Sequence, residues 1–421
     1  MANNNELNYD ILIKAINVIS YDGKTTQSII SQVSSIDIYE SIFNALVSCD
    51  VQMIDQINLI EIFPLLRQKV YLEMEYSTPK LEGSVKRRFI VNEIGLRTYD
   101  NQLKTSKYVL QCLSEEAIQH SNQVVTEAIS GEEISKAVAR IVKTYLKSNK
   151  KVSTDNTKGT QSIQVLNLKP LKAIDFLRKK AISKSYVSNT FLFFENVHGF
   201  HFVTLEWLIN NIKGPADAKF FLKLGDDPSV ARFRNILGYQ GIVQDNATDI
   251  IASGGLHTVH KRLDIATGVV TEFVTKPNVE AFLRGAGVNV SPHLSTFITD
   301  NSKNPAITVY TVWDSTQGET FSYEQPLRDF YINLCTSNIT RIHVYGDAAL
   351  NCWDSVDLQL PVASSDVEDM KKVNYSKYMS GKFLISKIRH MISVQGNASF
   401  SYRMSLELIR PAYGETILWV V

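Results

Sequence analysis

The chain has 421 residues, of which 44% are hydrophobic and 21% are charged, a composition typical of folded globular proteins and not of disordered ones. Its 44 Lys and Arg residues almost balance its 43 Asp and Glu residues, so the net charge is +1. This balance excludes the uniformly basic surface of many nucleic-acid-binding proteins. A chain of this length is expected to fold as roughly two to four domains with real hydrophobic cores.

The cysteines and the first residues indicate the compartment. The four cysteines are far apart and show no CxxC spacing, so we expect reduced, mostly buried thiols of a protein made in a cytosol: Cys49, Cys112, Cys335 and Cys352. The start, MANNNELNYD, has neither the basic nor the apolar region of a secretory signal. Because no window approaches ~18 continuous apolar residues, no membrane insertion is expected.

The first part of the chain has the pattern of a β domain. In residues 69–76, Val70, Leu72 and Met74 alternate with side chains that point the other way. Asp55 and Pro64 bound a segment that predicts one or two helical turns, with Asp55 as cap and Pro64 as terminator. Six strands with a short helical insertion predict a small antiparallel barrel or sandwich, the strands lying at 9–13, 36–42, 47–53, 69–76, 88–93 and 106–113.

The next hundred residues have a more helical pattern. Ser114 begins a segment that predicts a helix reaching Val125, and a second helix is predicted over 130–146. Residues 148–160 are polar and predict an exposed loop. Pro170 suits the first turn of a third helix, whose apolar stripe is Leu171, Ile174, Leu177 and Ala181.

A dense aromatic segment, FLFFENVHGFHFVTLEWL, covers residues 191–208. Two short apolar runs flank a polar turn, which predicts a β-hairpin with Gly199 at positive φ. Thr204 then offers an N-cap oxygen to a short helix that begins at Leu205. Since both strands are apolar on both sides, we expect both faces of the hairpin to be covered, and we interpret it as a packing joint that holds the β modules in register.

Strand patterns return from residue 242 to the end. Residues 276–305 are less regular and predict a surface excursion, and residues 325–337 predict a helix with Phe330 and Tyr331 on its apolar stripe. Alternating strands are predicted at 339–345 and 355–360. The strictest alternation lies at 381–392 and 400–408, which predict an antiparallel hairpin whose turn contains Gly396 and Asn397.

The histidines do not have the spacing of a zinc protease. His198 and His201 are three residues apart, as are His257 and His260. A zinc protease motif needs histidines at i and i+4 of one helix with a glutamate beside the first. Core or surface histidines are therefore expected at both places.

Three further patterns resemble functional sites only superficially. The glycines at 254–255 and at 285 and 287 lack the strand, helix and Lys-Ser/Thr context of a phosphate loop, and no GxSxG motif is present. The paired acids at 115–116, 132–133 and 226–227 suit helix first turns and loops. The basic clusters, residues 86–88 and Lys147, Lys150 and Lys151, could touch phosphates, but such short clusters usually form solvated faces. We therefore predict no catalytic, cofactor-binding or metal-binding residues.

Three segments, in order, resemble one protein family. SIDIYESIFNALVSCDVQMIDQINLIEIFPLLRQKVYLEMEY (35–76) resembles the first β module of baseplate hub proteins from contractile-tailed bacteriophages. FLFFENVHGFHFVTLEWL (191–208) is similar to an aromatic segment of the same hubs, with Thr204 in place of their usual serine. SGKFLISKIRH (380–390) followed by YRMSLELIR (402–410) resembles their closing hairpin. The likeness covers most of 9–210 and 378–410.

The resemblance implies an α+β, β-rich fold in which two tube-type antiparallel β-barrel domains flank a mixed α/β module. The expected domains are 1–115 (first barrel), 116–210 (mixed module with the aromatic hairpin) and 211–421 (second barrel, with an irregular insertion at about 240–375 and the closing hairpin). It also implies a homotrimeric hub in the virion baseplate that adapts a threefold central spike to a sixfold tail tube and forms part of the DNA channel. The implied partners are the spike, tail tube and tube-initiator proteins, the tape measure protein and the surrounding wedge proteins, and DNA passes the lumen without specific binding.

Three alternative functions have their own requirements of the sequence. The same architecture serves as the hub component of bacterial contractile injection or secretion systems, where a fused OB-type domain and needle are expected; this sequence ends at Val421 without them. A tail-associated cell-wall hydrolase would need a carboxylate or metal constellation, which is not evident. A nucleic-acid-binding module would need a concentrated basic face with stacking aromatics, and the Lys and Arg residues are spread out.

Overall fold

The structure is a computed structural model that describes residues 11–63, 65, 69–78, 84–100, 102, 104–211, 219–222, 234–244, 258–283, 307–313, 325–362, 375–376, 379–395 and 399–411. Strands dominate these residues and most of them pair antiparallel. The β-rich class expected from the alternating sequence is confirmed.

Seven strands come from the first part of the chain: β1 (Leu12–Ser20), β2 (Thr26–Ser28), β3 (Val33–Ser41), β4 (Ser48–Asp55), β5 (Val70–Ser77), β6 (Val85–Asp100) and β7 (Thr105–Ser114). A 3-10 turn at Ile30–Gln32 precedes β3, and the one-turn helix α1 (Leu59–Ile62) follows β4. The N-cap residue of α1 is Asn58 and not Asp55 as predicted, but the Asp55 carboxylate at the end of β4 accepts hydrogen bonds from the backbone N–H of Leu59 at 2.8 Å and of Ile57 at 3.1 Å. Pro64 lies outside the described residues, and β2 was not predicted.

The middle of the chain forms α2 (Glu116–Asn122), β8 (Val125–Glu132), α3 (Ile134–Thr144), β9 (Val152–Thr154), β10 (Gln161–Leu168), α4 (Pro170–Arg178), β11 (Phe191–Asn196), β12 (Gly199–Thr204) and α5 (Leu205–Asn211). Two predictions here were wrong. The helix expected to reach Val125 ends at Asn122, because Val125 and Ile129 point into the core from a strand; their spacing of four fits a strand as well as a helix. The loop expected over 148–160 contains β9, which pairs parallel with β12.

The last part contributes β13 (Lys219–Phe221), β14 (Ile236–Gln244), β15 (Thr258–Asp264), β16 (Val270–Thr275), α6 (Val279–Leu283), β17 (Ile307–Trp313), α7 (Gln325–Thr336), β18 (Asn338–Tyr345), β19 (Ser355–Gln359), β20 (Gly381–Gln395) and β21 (Ser399–Ile409). The helix predicted at 325–337 and the four strands predicted after it are confirmed. The predicted turn residues Gly396 and Asn397, and most of the predicted excursion at 276–305, lie outside the described residues.

Strands from both ends of the chain join in one large sheet. Within the described ranges this sheet has 13 strands, in the order β14-β18-β21-β20-β3-β4-β7-β6-β5-β1-β2, with β19 on β20 and β13 on β19. The two ends meet where β20 pairs antiparallel with β3, and His390 lies opposite Ile38 there. The first and last parts of the chain therefore share one hydrogen-bonded ladder.

The hydrophobic residues form two cores. One core lies against the large sheet and combines side chains of the first and last parts, such as Ile38, Leu110, Ile388 and Leu406. The other belongs to residues 125–202 and includes the predicted helix stripes, such as Val138 of α3 and Leu177 of α4. The mixed module therefore has a core of its own beside the large sheet.

Candidate functional site

The aromatic hairpin β11–β12 lies between the two cores. All twelve of its strand residues are buried, so the prediction that both faces are covered is confirmed. Phe193 and Phe200 stack at 5.4 Å, and Phe191 and Phe202 at 4.7 Å, all four inside the mixed-module core. The alternate side chains enter the core of the large sheet: Leu192, Phe194 and Val203. Because successive side chains of a strand point to opposite faces, this one hairpin contributes side chains to both cores.

The turn of this hairpin docks on the backbone near Lys151. Gly199 has φ +118°, and the Phe200 N–H donates to the Lys151 carbonyl at 2.8 Å. A Cβ on Gly199 would lie 2.2 Å from that carbonyl oxygen, so only glycine fits this close approach. After β12, Thr204 Oγ1 accepts the Trp207 N–H at 3.2 Å, which confirms its predicted role as N-cap.

Trp353 connects the hairpin to the last part of the chain. Its ring lies 4.0 Å from the ring of His201 and 6.2 Å from those of Phe194 and Trp207. Its backbone has φ +98°, a conformation that costs a bulky residue energy and persists only where packing over-determines it. The hairpin is therefore fixed to the C-terminal strands as well as to the mixed module.

A buried ionic cluster lies where the two ends of the chain meet. The Arg87 guanidinium of β6 pairs with the Glu40 carboxylate of β3 and donates to the Tyr76 hydroxyl at 3.2 Å. His390 of β20 places Nε2 3.4 Å from Glu40 Oε1, and its Nδ1 is 2.7 Å from the Tyr402 hydroxyl of β21. All five side chains are almost fully enclosed. The first part of the chain and the closing hairpin thus share one polar network inside their common core.

The charges in this cluster depend on one another. Burial alone would raise the pKa of Glu40, but the neighbouring Arg87 and His390 outweigh it and lower that pKa to about 2. Burial lowers the pKa of His390, against the opposing pull of Glu40. Glu40 is therefore the anion and Arg87 its cation, with a neutral imidazole bridging to Tyr402.

A second buried ion cluster ties the hairpin to the first part of the chain. Lys150 Nζ lies 2.6 Å from Glu195 of β11 and 2.7 Å from Glu116 of α2. The other Glu195 oxygen accepts the Val47 N–H at 3.2 Å and the Ser114 hydroxyl. Burial would lower the pKa of Lys150, but the two carboxylates raise it, so its charge is retained.

The structure corrects the prediction of solvated basic faces at two positions. Arg87 is enclosed beside Glu40, and Lys150 is partly buried between two carboxylates. Lys86, Arg88 and Lys151 are exposed as predicted. Of the paired acids, Glu116 lies in the first turn of α2 and Glu133 at the N-cap of α3, as predicted. Glu116 also pairs with Lys150 at 2.7 Å, and Glu132 pairs with Arg140 at 3.0 Å. The pair at 226–227 and the glycines at 254–255, 285 and 287 lie outside the described residues.

The structure separates the histidines of each HxxH pair. His201 is buried and bonds Asn196 Oδ1 through Nε2 at 2.8 Å, whereas His198 is exposed at the turn. His260 is buried with Nε2 2.8 Å from Thr275 Oγ1, and its partner in the motif, His257, lies outside the described residues. In the described ranges, no three His, Cys, Asp or Glu side chains come together as metal ligands, and the four cysteines are free and buried.

His201 should make the protein sensitive to acid. Burial, aided by the charges of His198 and Lys151, lowers the pKa of His201 to about 3. Between about pH 6.5 and pH 3 the unfolded chain binds a proton at this residue and the folded chain does not, so stability falls as pH falls through that window. We expect His201→Gln to flatten the decline of Tm between pH 7 and pH 4 in calorimetry. A decline as steep as that of the parent protein would contradict this assignment.

The opposite face of the large sheet is polar and its charges are balanced. Arg389 pairs with Asp37 at 3.0 Å, across the β20–β3 junction. Glu407 is shared between Lys387 at 2.7 Å and Arg341 at 3.5 Å. These ion pairs join strands from both ends of the chain. None of the helices in the described part of the chain combines the length and apolar character needed to cross a membrane.

Several solved protein structures have a fold similar to that of this chain. A tail protein from Neisseria meningitidis is similar over 96% of this chain and 99% of that chain, with a TM-score of 0.55 and 10% identity. The 43 kDa tail protein of prophage MuSo2 from Shewanella oneidensis is similar over 94% and 98%, with a TM-score of 0.55 and 12% identity. The chain has a phage tail-protein fold. The resemblance to phage hub proteins drawn from the sequence is thereby confirmed at the level of fold.

A third likeness is to a chain of the Francisella PdpA-VgrG complex, with a TM-score of 0.50 and 10% identity. It covers 96% of this chain but 54% of that chain, so this chain spans about half the length of that protein. No protein-family model matches the sequence, and no curated protein matches it. The likeness lies in the fold and not in close sequence identity.

Proposed function

We propose that this chain is the central hub of a contractile-tail baseplate, a homotrimer that joins a threefold spike to a sixfold tail tube. Two tube-type barrel domains, at 1–115 and 211–421, with the mixed module 116–210 between them, would give a trimer six barrels around its axis. The fold shared with phage tail proteins supports this proposal. So does the large sheet, since β-rich segments from both ends of the chain build it.

The observation that carries the proposal is the polar face of that sheet. It is continuous across the β3–β20 junction, and its ion pairs, such as Arg389–Asp37 and Lys387–Glu407, leave little net charge. Proteins bind DNA strongly when Lys and Arg displace the counterions of many phosphates. A balanced face offers few unpaired cations to DNA, which suits the wall of a channel that DNA passes without specific binding.

The proposed role sets the partners and the location. The trimer would contact the spike on one side and tube or tube-initiator proteins on the other, with the tape measure protein in the lumen and wedge proteins around it. It would be made in the bacterial cytoplasm and become part of the virion tail baseplate, without catalysis. Two of the similar structures named above are tail proteins, which supports an architectural role.

A second candidate function is the hub of a bacterial contractile injection or secretion system. The likeness to the Francisella PdpA-VgrG complex favours it. The two functions differ in the partner that the hub holds: a separate phage spike protein, or a spike that continues the hub chain. Coexpression with the spike gene encoded nearest to this chain therefore distinguishes the two functions: a stable complex with a separate spike protein favours the phage baseplate hub.

The oligomeric state tests the proposal directly. We expect native mass spectrometry to give the mass of three 47.4 kDa chains, alone or after addition of the spike, and electron micrographs to show rings. A chain that stays monomeric and binds neither spike nor tube protein would refute the hub role. A DNA mobility shift at low salt, or cell-wall degradation by the purified protein, would favour the nucleic-acid or hydrolase alternative instead.

A further inference from the structure

A pocket of about 310 Å³ opens between β6 and the turn of the aromatic hairpin. The buried side chains of Val47 and Phe89 contribute to its lining, and Val197 lies exposed at the turn. Its volume is at the small end of the range seen for ligand pockets, about 300–1,000 Å³. The pocket therefore suits a side chain or a short segment and not a large ligand.

Basic side chains dominate the lining of the pocket, and four of them are paired with carboxylates: Lys86 with Glu75, Arg87 with Glu40, Arg88 with Glu73, and Lys150 with Glu116 and Glu195. Five basic residues line it, against one carboxylate, that of Glu195: Lys86, Arg87, Arg88, Lys150 and Lys151. The two buried ion clusters adjoin it, because Arg87 belongs to one and Lys150 to the other. These pairs leave Lys151 as the cation of the lining whose charge is open to a ligand of opposite sign.

Two of these cations retain donors for a ligand. Lys151 is exposed, and no carboxylate in the described ranges lies within ion-pair distance of it. Arg87 uses Nε for Tyr76 and Nη2 for Glu40, which leaves Nη1 without an acceptor among the described residues. A buried guanidinium fixed by two partners is a pre-organised donor, which lowers the entropy cost of binding an oxyanion.

We propose that this pocket binds an acidic side chain of a partner protein. A single carboxylate carries one negative charge and tolerates Glu195 in the wall better than a phosphate group does. Val47 and Phe89 offer apolar contact to the aliphatic stem of a glutamate. The inference rests on the proposed hub function, because a hub must bind several partner proteins and a pocket of this kind can bind one of their acidic side chains.

A nucleic acid is a poorer ligand for this pocket. Single-stranded nucleic acids need a groove that follows the backbone, with aromatic platforms for the bases. Here the ring of His198 already stacks on Trp353, and Phe89 is buried. The remaining rim consists of charged side chains, which favours a carboxylate.

Fluorescence anisotropy with a labelled hexaglutamate peptide tests the proposal on the whole protein at low salt. We expect the parent protein to bind hexaglutamate but not hexaglutamine, and Lys151→Ala to weaken binding by about tenfold, the effect of one lost charge-assisted hydrogen bond. Lys151→Ala breaks no ion pair, so folding should be preserved. Lys107→Ala is the matched control, since Lys107 is also exposed but lies at the far end of β7 from Ser114.

Equal loss of binding in the Lys151→Ala and Lys107→Ala variants would overturn the pocket assignment, as would binding of hexaglutamine. Tighter, Lys151-dependent binding of a single-stranded oligonucleotide would assign the pocket to nucleic acid and overturn the proposed ligand. The hub function is measured separately by oligomeric mass. A trimer that ignores hexaglutamate overturns only the pocket, whereas a monomer that binds hexaglutamate overturns only the hub.

Discussion

Replacing Arg87 by methionine is expected to lower the free energy of unfolding by about 3–5 kcal/mol, the usual cost of leaving one partner of a buried ion pair alone. Glu40 would then lose the cation that holds its pKa low against burial, and its Oε2 has no hydrogen-bond partner in the described structure, so a poorly satisfied carboxyl group would remain inside the core. Urea denaturation measures the loss. Hydrogen exchange should show the largest change in β3 and β20, where the two ends of the chain meet.

Two variants make this test specific. Lys86→Met removes the neighbouring exposed charge, which lies 3.3 Å from Glu75, and should cost about 0–1 kcal/mol. Combining Arg87→Met with Glu40→Gln removes both charges, so the double variant should be more stable than Arg87→Met alone. If Arg87→Met and Lys86→Met are equally mild, the cluster does not hold the junction together.

Local periodicity in the sequence was enough to predict most strands and the aromatic hairpin. In β5, Val70, Leu72 and Met74 are buried as their alternation indicated, and in α4 the stripe through Ile174 and Leu177 faces the core. These signals succeed because burial on one face imposes a period on neighbouring residues. The same rule failed at Val125, where a spacing of four residues fits both periods.

The buried ion clusters could not be predicted, because their members are far apart in the sequence. Glu40, Arg87 and His390 meet only after β20 pairs with β3, and no local pattern encodes that pairing. Lys150 stands in a polar segment that resembles a solvated loop, yet its two carboxylate partners come from α2 and β11. One signal was available: Glu195 stands in an otherwise apolar strand, where a charge requires a partner.

Substitutions in the aromatic hairpin should destabilise each of the two cores separately, depending on which core the replaced side chain enters. Phe194→Ala empties space in the core of the large sheet and Phe202→Ala in the core of the mixed module, and both side chains are fully enclosed. Each substitution should cost about 3–5 kcal/mol through lost burial and a residual cavity. Hydrogen exchange is the appropriate measurement, because a protein with two cores need not unfold in one step.

The regions that lose hydrogen-exchange protection show whether the hairpin links two cores or packs within a single one. Phe194→Ala should weaken protection mainly in β3, β20 and β21, and Phe202→Ala mainly in α3 and α4. Val197→Ala, at the exposed turn of the same hairpin, is the matched control and should leave both regions protected. Because Phe194 and Phe202 belong to adjacent strands of one hairpin, two separate patterns of loss would show that β11 and β12 transmit packing to both cores. Identical patterns would mean instead that the two cores unfold as one unit and that the hairpin joins nothing that is independently stable.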